Sequence, residues 1–367
     1  MTVSGFKLKR NRIGVLTSGG DCAGLNAAIR AITYRAIQNH GLSVVGILAS
    51  TAGLLERPVR FRDLTLDNVT SDYLRLGGTI LETVNKGNPF EFPMPDGTVK
   101  DRSAEAIEGF RALDVDALIG IGGDGSARIL ARLAKAGEIP FIGVPKTIDN
   151  DLAETDFAIG YMSAVEVAVD AADRLQPTAA SHRRTMVLEV MGRDVGWIAL
   201  ASGIASGADV VLIPEIPFDM EKVCTHLRAR HARGQNHAMV VCSEGVRLAS
   251  GETVSQAYAD GQVRYGGVSA AIAEIIARET GAETRVTVLG HVQRGGSPCA
   301  FDRILATSLG THAVDILAQG KTDRFVVWQN GKVTDVPLDA VAGKTRGLKL
   351  DGQMVQAARR IGVCLGD

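Results

Sequence analysis

The segment Ala117-Leu118-Ile119-Gly120-Ile121-Gly122-Gly123-Asp124-Gly125-Ser126 joins a short apolar run to a glycine-rich turn. The apolar run is typical of a buried β-strand, and residues 127–136 after the turn are typical of a helix. A second apolar run, 139–143, predicts another strand. Strand, glycine turn, helix and strand in this order predict a parallel sheet with helices on its faces. In such folds the ligand site lies beyond the carboxyl ends of the strands.

The same alternation continues along most of the chain. Strand 13–17 leads through the glycine turn 18–24 into a helix that begins at Leu25, while residues 56–70 are polar and irregular. Further strands are predicted at 42–48, 186–191, 210–213, 237–242 and 285–289, and further helices at 103–113, 162–174 and 268–279. We expect an α/β protein with one mostly parallel sheet or two, and the length of 367 residues favours two domains.

Composition excludes several classes of function. The net charge is −1, with 40 basic and 41 acidic residues, which argues against nucleic acid or a membrane surface as the main partner. No apolar run is long enough to span a bilayer. The five cysteines have no metal-ligand spacing, so we expect free thiols and a cytoplasmic, reducing environment; they are Cys22, Cys224, Cys242, Cys299 and Cys364.

The segment Pro145–Asp151, directly after the strand 139–143, concentrates chemistry-bearing side chains. Asp149 and Asp151, two residues apart, can point at one place, where a cation or a shared proton would relieve their repulsion. One carboxylate would then bind a metal ion and the other act as a general base, with Thr147 orienting a reactant. A turn rich in Asp and Asn, held by local hydrogen bonds, is the structural alternative.

Glycine turns at several strand ends are typical of phosphate binding. Gly19-Gly20 and Gly122–Ser126 can bring backbone N–H groups close to phosphate oxygens, and Asp124 suits Mg²⁺. Arg193, Arg294 and His291 could neutralise phosphate charge. Each residue also has an ordinary role, as a helix N-cap, an ion pair or a loop histidine. Their recurrence at separate strand ends favours phosphoryl transfer, which needs positioning, a metal, cations and a base.

Five motifs together resemble the 6-phosphofructokinase family. In chain order they are Ser-Gly-Gly-Asp at 18–21, Gly-Gly-Asp-Gly-Ser at 122–126, Pro-Lys-Thr-Ile-Asp-Asn-Asp at 145–151, Met-Gly-Arg at 191–193 and Val-Leu-Gly-His-Val-Gln-Arg-Gly-Gly-Ser-Pro at 288–298. The resemblance runs from Ile13 to about Leu317. It implies phosphorylation of the 1-hydroxyl of fructose 6-phosphate, with Mg²⁺, to give fructose 1,6-bisphosphate in glycolysis.

The resemblance also implies a domain division and residue roles. Two Rossmann-like, three-layer α/β/α domains with mostly parallel sheets would enclose the active site in the cleft between them. The larger domain (1–160 and about 293–345) would bind the phosphoryl donor, and the smaller one (161–292 and 346–367) the sugar phosphate. The implied catalytic residues are Asp149 as the base, Thr147, Asp151 and Arg193, with Asp124 at the metal. The implied donor-binding residues are Gly19, Gly20, Lys86, Gly123, Asp124, Gly125, Ser126 and Lys146.

The implied sugar-phosphate-binding residues are Thr147, Asp149, Arg184, Met191, Gly192, Arg193, Glu244, Arg285, His291 and Arg294. In the family, the arginines that match Arg184 and Arg285 reach the site of a neighbouring subunit. The resemblance therefore implies a homo-oligomer, a dimer or a tetramer, with shared active sites.

Two positions in these motifs differ between family members that use ATP as the phosphoryl donor and members that use pyrophosphate. In the family, Gly at the position of Gly125 is associated with ATP, and Asp there with pyrophosphate, because Asp fills the space of the nucleotide's α-phosphate and repels it. Lys146 stands where many bacterial ATP-dependent members have Gly and pyrophosphate-dependent members have Lys. The steric argument at Gly125 favours ATP.

The sequence departs from the family pattern at three sites. An arginine that touches the transferring phosphate is replaced by Asn85 or Lys86, and Thr51 stands in place of an aromatic nucleotide contact. Gln176 and the pair Gln235-Asn236 replace basic residues of an effector site, so regulation there by nucleotide diphosphate or phosphoenolpyruvate is not expected.

Other functions remain open at this point. A pyrophosphate-dependent enzyme, an acceptor such as sedoheptulose 7-phosphate, and a catalytically silent sugar-phosphate sensor are the alternatives. NAD and lipid kinases also use a Gly-Gly-Asp-Gly turn, but that class leaves the motifs at 191–193 and 288–298 unexplained.

Overall fold

The computed structural model describes residues 7–85, 87–248, 255–257 and 263–367. The chain divides into two compact units. The first unit falls within Met1–Ser163 and Arg294–Arg346, and the second within Ala164–Gln293 and Gly347–Asp367. The chain therefore crosses from one unit to the other more than once.

The first unit is a mostly parallel sheet with helices. Its strands are β1 (Arg12–Thr17), β2 (Ser43–Ile47), β3 (Phe61–Leu64), β4 (Phe92–Pro93), β5 (Val99–Lys100), β6 (Ala117–Gly122), β7 (Phe141–Pro145), β14 (Arg324–Gln329) and β15 (Lys332–Pro337). Its helices are α1 (Leu25–His40), α2 (Ser50–Leu55), α3 (Ser103–Ala112), α4 (Asp124–Gly137) and α9 (Ala300–Ala318), with 3₁₀ turns at Ser71–Leu74, Pro89–Glu91 and Leu338–Ala340.

Seven of these strands form one sheet in the order β15-β14-β7-β6-β1-β2-β3. The five central strands are parallel, and β15 and β3 pair antiparallel at the two edges. Every residue of β6 and β7 is buried, as expected for parallel strands covered on both faces. Helix α1 packs against α9, while α3 packs against α2 and α4. The predicted parallel α/β organisation is confirmed here.

Three local predictions for this unit need correction. Helix α4 begins at Asp124 and not at Ala127, because Asp124, Gly125 and Ser126 already form its first turn after the extended Gly123. Strand β7 continues to Pro145, which pairs with Gly122 of β6. The polar stretch 56–70 contains the edge strand β3, whose polar side chains face solvent.

The second unit carries its own sheet. Its strands are β8 (Thr185–Val190), β9 (Val210–Leu212), β10 (Ala238–Ser243), β11 (Ser255–Ala257), β12 (Val263–Tyr265) and β13 (Thr284–Val288). Its helices are α6 (Trp197–Ala205), α7 (Met220–Ala232), α8 (Val268–Thr280) and α10 (Gln353–Arg360), together with most of α5 (Tyr161–His182) and the 3₁₀ turn Gly290–Arg294. The main sheet has the order β13-β8-β10-β9 and is parallel throughout.

Buried side chains of β8, β9, β10, α7 and α8 form the core of the second unit. Glu189, 1% exposed, points from β8 to the start of α8, where it accepts hydrogen bonds from the backbone N–H groups of Gly267 and Ser269 at 2.9 Å. A carboxylate at this position satisfies helix N–H groups that have no partner within the helix.

The five cysteines are free thiols, as predicted. In the part of the chain that the structure describes, no helix combines the length and the apolar character needed to cross a membrane.

Candidate functional site

In the first unit, the predicted donor-binding segments follow the carboxyl ends of three neighbouring parallel strands, β1, β6 and β7. β1 and β6 pair through Thr17 and Ile121, and β6 and β7 pair through Ile121 and Val144. The segments 18–24, 123–126 and 146–151 therefore leave the sheet at the same level. The predicted grouping of glycine turns and carboxylates is a direct result of this register.

The first glycine turn is in close contact with three polar side chains. Gly19 has φ +80°, and a Cβ on it would lie 2.9 Å from Ser126 Oγ and 3.5 Å from Lys146 Nζ. A Cβ on Gly20 would lie 2.8 Å from Arg294 Nη1, and Arg294 donates a hydrogen bond to the carbonyl of Asp21 at 3.1 Å. Glycine here lets two cations and a hydroxyl approach the backbone, an arrangement suited to an anion.

Lys146 is buried beside this turn. Its side chain is 4% exposed, and Nζ donates a hydrogen bond to the carbonyl of Gly20 at 2.5 Å. Burial lowers the pKa of Lys146 from its usual value, Arg294 nearby lowers it further, and Asp149 opposes the shift. A phosphate oxygen arriving at the turn would supply negative charge to a cation that is costly to bury alone.

The loop Lys146–Asp151 is held by backbone and side-chain contacts within the first unit. Asn150 has φ +54°, and its amide side chain accepts from Ala158 N at 2.9 Å and donates to Asp156 O at 3.0 Å. Arg346 donates from its backbone to the carbonyl of Asp151 at 2.6 Å and from its guanidinium to that of Asn150 at 3.2 Å. These contacts fix the directions of the side chains on either side of Asn150.

Three carboxylates come together at the end of this loop. Asp149 is 6% exposed, and its backbone N–H donates to Thr147 Oγ1 at 3.1 Å. The pKa of Asp151 is raised to about 6, first by burial and then by the negative charges of Asp149 and Asp124. A hydrogen bond from Thr147 opposes that rise. Carboxylates that repel one another in a half-buried place fit a divalent cation.

Among the described residues, no group of three His, Cys, Asp or Glu side chains is arranged to hold a metal ion. In proteins that bind phosphorylated substrates, magnesium usually keeps several waters and is held by one or two carboxylates together with the substrate phosphates. Asp124 and Asp151 therefore fit a magnesium ion that arrives with a phosphorylated ligand.

The raised pKa of Asp151 predicts a pH-dependent stability. Between its ordinary pKa of 3.8 and about 6, the folded protein holds a proton that the unfolded chain has released. The free energy of unfolding therefore falls as pH rises through this window. For the ligand-free protein without Mg²⁺, we expect Asp151→Asn to raise that free energy at pH 7.5 by up to about 3 kcal/mol, and by little near pH 3.5.

Urea unfolding at the two pH values measures this effect. Asp351→Asn, which removes an exposed carboxylate, is the matched control and should change stability little at either pH. If Asp151→Asn and the unaltered protein have the same free energy of unfolding at pH 7.5, the charge on Asp151 does not destabilise the folded protein.

In the second unit, Met191, Gly192 and Arg193 leave the carboxyl end of β8 as predicted and are held by two side chains. Gln293, 2% exposed, accepts from Met191 N at 2.8 Å, and Glu244 accepts from Arg193 N at 3.2 Å. Gly192 has φ +150° and Arg193 has φ +50°. Gly245 passes so close that a Cβ on it would lie 1.7 Å from the carbonyl of Arg193.

Arg184 and Arg285 lie at the opposite end of the same sheet. Arg184 precedes β8, Arg285 is in β13, and both guanidinium groups form ion pairs with Glu283, that of Arg184 at 2.9 Å. The six residues of β8 separate Arg184 from Met191, a span of roughly 20 Å. The second unit therefore brings the two arginines together with each other but not with Met191 and Arg193.

Several other predicted positions have less defined surroundings. His291 is exposed, in the turn Gly290–Arg294, and Lys86 lies outside the described residues. Thr51 is 1% exposed and its hydroxyl bonds to the carbonyl of Gly87, so it packs inside the protein. Gln176 donates to the carbonyl of Ser206 at 3.3 Å.

Sequence reasoning missed two residues that support the site. Gln293, described above, is hidden inside a motif that was assigned to ligand contacts. Asp302 is fully buried at the start of α9, where it accepts from Gly160 N at 3.1 Å and from Ser163 N at 2.8 Å. It thereby anchors the end of the segment that follows the 146–151 loop. The spacing Cys299-x-x-Asp302, similar to a capping box, was the available signal.

A cavity beside α4 was also missed. About 290 Å³ in volume, it lies one helical turn after Gly125. Arg128, Ile129 and Arg132 of α4 line it together with Asn88, Phe90 and Glu91. The guanidinium of Arg132 lies over the ring of Phe90, 3.8 Å from its centre.

Comparison with known proteins identifies the family. The phosphofructokinase family profile matches residues 12–317. The chain is 53% identical over 356 residues to ATP-dependent 6-phosphofructokinase 1 of Synechocystis sp., covering 97% of this chain and 98% of that protein. It is 44% identical over 346 residues to the pyrophosphate–fructose 6-phosphate 1-phosphotransferase of Dictyoglomus thermophilum, covering 93% and 96%.

Among solved structures, phosphofructokinase from Saccharomyces cerevisiae has a similar fold, with a TM-score of 0.74 and 30% identity. The alignment covers 89% of this chain and 45% of the yeast chain, so this chain spans less than half the length of that protein. Two parallel-sheet units, with glycine turns and carboxylates beyond the strand ends, define an α/β phosphotransferase. The chain belongs to the phosphofructokinase family.

Proposed function

We propose that this protein is an ATP-dependent 6-phosphofructokinase that phosphorylates the 1-hydroxyl of fructose 6-phosphate. The observation that carries the proposal is the convergence of Lys146, Ser126 and Arg294 on the turn Gly19-Gly20, beside the three carboxylates of Asp124, Asp149 and Asp151. It combines an anion-binding turn with a candidate base, as phosphoryl transfer requires. The name of the Synechocystis relative supports the same reaction.

In this mechanism the residues of the first unit handle the donor. The N–H groups of Gly19, Gly20 and Gly123 and the first turn of α4 face the phosphates, and Lys146 and Arg294 add positive charge. Asp124, with help from Asp151, would hold a magnesium ion, which would neutralise negative charge on the phosphates. Asp149 accepts the proton of the attacking hydroxyl, and Thr147 orients the reactants.

Residues of the second unit bind the sugar phosphate in this proposal. Met191, Gly192 and Arg193 are presented at the end of β8, and Glu244 and Gln293 hold their backbone. Glu244 and His291 complete the second unit's part of the proposed set. Arg294, described above at the Gly19-Gly20 turn, belongs to the first unit and is proposed to serve both ligands. The fixed left-handed conformation of Arg193 supports a positioned ligand contact, because such conformations are costly for a non-glycine residue.

The donor assignment rests on Gly125. Apart from its chain neighbours and the backbone of α4, no atom of the described residues lies within 4 Å of the position that a Cβ on Gly125 would occupy, so the described part of the chain leaves this side of the first turn of α4 open. A nucleotide needs this space for its α-phosphate and the groups beyond. Pyrophosphate is the second candidate donor, favoured by Lys146 and by the name of the Dictyoglomus relative.

A coupled assay with fructose 6-phosphate and Mg²⁺, comparing ATP with pyrophosphate, tests the proposal. We expect turnover with ATP. Turnover with pyrophosphate alone would overturn the donor assignment and make the reaction readily reversible. Absence of turnover with both donors, with binding of the sugar phosphate retained, would overturn the enzyme assignment in favour of a sensor or another acceptor.

We further propose that the nucleotide base occupies the 290 Å³ cavity one turn along α4. Stacking of a base on an aromatic ring contributes about 1–3 kcal/mol. We therefore expect Phe90→Ala to raise the KM for ATP about 5-fold to 100-fold while the KM for fructose 6-phosphate stays unchanged.

Phe92→Ala is the matched control for this variant. Phe92 also packs partly buried against the core of the first unit and lies under an arginine, Arg102, but it does not line the cavity. Steady-state kinetics should show a normal KM for ATP in Phe92→Ala. Equal changes in the two variants would mean that general loosening of the core, and not loss of stacking, is responsible.

A homo-oligomer with shared sites is the remaining part of the proposal. Arg184 lies roughly 20 Å from Met191 along β8, and Arg285 of β13 pairs with Met186 near the same end of the sheet. Both arginines are therefore badly placed to bind the same sugar phosphate as Met191 within one chain. Their grouping around Glu283 suits the phosphate of a ligand held by a neighbouring subunit. We expect Arg184→Ala and Arg285→Ala to raise the KM for fructose 6-phosphate at least about tenfold, as loss of a charged contact does.

Mixing variants tests whether the site is shared. Arg285→Ala and Asp149→Ser, co-expressed and purified as hybrid oligomers, should regain activity, because one site of each pair then has both Asp149 and Arg285. Arg278→Ala, which removes another ion-paired arginine of the same unit, serves as the control with an unchanged KM. No recovery in hybrids shown to contain both chains would place all the residues of a site in one chain.

A further inference from the structure

Arg346 is a half-buried residue of the first unit that lies outside every motif described above. The family profile ends at residue 317, so it assigns no role to Arg346. The chain passes from Arg346 directly into the second unit at Gly347. Within the first unit, Arg346 lies against the loop Lys146–Asp151, which carries Asp149, the proposed base. Arg346 is therefore a neighbour of the proposed catalytic loop, although 196 positions separate it from Asn150.

Arg346 holds this loop through three hydrogen bonds to backbone carbonyl groups. Its backbone N–H donates to the carbonyl of Asp151 at 2.6 Å. Its guanidinium nitrogen Nη2 donates to the carbonyls of Asn150 at 3.2 Å and Asp156 at 3.1 Å. The guanidinium group thus joins two carbonyls that lie six positions apart, and closes the bend that follows the loop. Arginine suits this place because its long side chain carries several N–H donors and can hold two acceptors at once.

The carbonyl of Asn150 is the contact that bears on the base. Asn150 stands between Asp149 and Asp151 and has φ +54°, a left-handed conformation that is disfavoured for a residue with a Cβ. Its side chain is held by two other hydrogen bonds, but its main-chain carbonyl is held by Arg346. Without the guanidinium group, Asn150 can relax toward a commoner conformation. Rotation there would redirect the carboxylates on both sides of it.

The positive charge of Arg346 strengthens the contact. Burial lowers the pKa of Arg346 from its usual value, and the nearby Asp156, Tyr161 and Asp151 oppose that shift. A guanidinium group keeps its proton in proteins, so a half-buried one needs acceptors and negative charge close by. Hydrogen bonds from a charged donor also contribute more than neutral ones. The cation and the loop therefore stabilise each other.

We propose that Arg346 is a positioning residue for phosphoryl transfer: by holding the carbonyl of Asn150, it keeps the carboxylate of Asp149 directed at the hydroxyl that is phosphorylated. Arg346 contacts neither substrate in this role and acts only through the loop. The inference rests on the proposed function, because it takes Asp149 as the base. If the same contacts served only to stabilise the fold, loss of Arg346 would lower the free energy of unfolding without a specific effect on the base.

Steady-state kinetics of Arg346→Ala, with Asp149 present and in combination with Asp149→Ser, test this role. With Asp149 present, we expect kcat to fall about 10-fold to 100-fold, as for a misplaced catalytic group, and the KM for fructose 6-phosphate to change less than about threefold. In Asp149→Ser, the same substitution should lower kcat less than about twofold, because no base is left to be positioned. A residue that acts through Asp149 produces this difference between the two backgrounds.

Arg324→Ala is the matched control. Arg324 is another half-buried arginine of the first unit, at the amino end of β14. Its guanidinium group donates to the carbonyl of Asp335 at 2.9 Å and to the carboxylate of the same residue at 2.5 Å. Urea unfolding should show a loss of stability in Arg324→Ala, whereas its kcat should be unchanged.

The outcomes separate the positioning role from the proposed function. An unchanged kcat in Arg346→Ala, or a fall of the same size with and without Asp149, would overturn the positioning role. An equal fall of kcat in Arg324→Ala would also overturn it, since general loosening of the first unit would then explain both variants. Near-normal kcat in Asp149→Ser alone would remove the proposed base, and with it the residue that Arg346 is proposed to position.

Discussion

Replacing Asp149 with serine is expected to lower kcat roughly 10³-fold, within the range that general-base catalysis contributes. Asp149 is more buried than Asp124 and Asp151, the other two carboxylates of the site, and acts electrostatically on both Asp151 and Lys146. Its backbone is anchored through Thr147 and through the contacts of Asn150. Removing the carboxylate removes the group that would accept the proton of the attacking hydroxyl. The sugar phosphate, by contrast, is proposed to be bound mainly by other residues. We therefore expect the KM for fructose 6-phosphate to change less than about threefold.

Stability separates this loss from a folding defect. Asp149 raises the pKa of Asp151 by repulsion, so its removal relieves strain and should not lower the free energy of unfolding at pH 7.5. Asp149→Asn, which keeps the side-chain volume, should lose the same activity as Asp149→Ser. Asp63→Ser, at an exposed carboxylate paired with Arg12, should retain full turnover. Near-normal kcat in either Asp149 variant would remove the proposed base.

The fold was largely predictable because the chain alternates buried strands with helices. β6, β8 and β10 are buried along their whole length, so their apolar runs stand out in the sequence. Because these strands are parallel and in register, the segments after β1, β6 and β7 lie together beyond the carboxyl ends of the strands, as expected from the glycine turns. Edge strand β3 was missed because it has only four residues, of which only Leu64 is buried, so it has no apolar run.

The supporting contacts were less predictable, because they depend on three-dimensional proximity of residues far apart in sequence. Asp302 accepts from Gly160 and Ser163, 142 and 139 residues away. Gln293 and Met191 are 102 residues apart. The cavity between Phe90 and α4 likewise has no sequence pattern, because Phe90 and Arg132 are 42 positions apart and no motif indicates that they are in contact.

The opposite positions of Arg184 and Met191 on β8 follow from simple geometry. A six-residue strand separates its two ends by roughly 20 Å, whatever its surroundings. Arg184 and Met191 are only seven positions apart in the sequence, yet they cannot both contact one phosphate group within a single chain. The expectation of a shared site came from the family resemblance and stays a prediction, which the hybrid oligomers described above would test.

Gly125→Asp is expected to lower kcat/KM for ATP about 100-fold, which corresponds to about 3 kcal/mol and is typical of like charges brought together. The substitution should not disturb the fold. Beyond its chain neighbours and the backbone of α4, a Cβ at this position meets none of the described residues within 4 Å. A carboxylate in the first turn of a helix is also favourable. The penalty therefore falls on the bound nucleotide, whose α-phosphate would meet the new carboxylate.

Two further substitutions at the same position separate charge from volume. Gly125→Ala adds a Cβ into open space and should change kcat/KM for ATP less than about threefold, as a small uncharged group does. Gly125→Asn has the shape of the aspartate without its charge and should have an intermediate effect. Pyrophosphate, which has no α-phosphate or base, should lose much less in Gly125→Asp than ATP does. Full ATP turnover in Gly125→Asp would mean that the nucleotide approaches from another side of α4, and that Lys146 rather than Gly125 governs the donor.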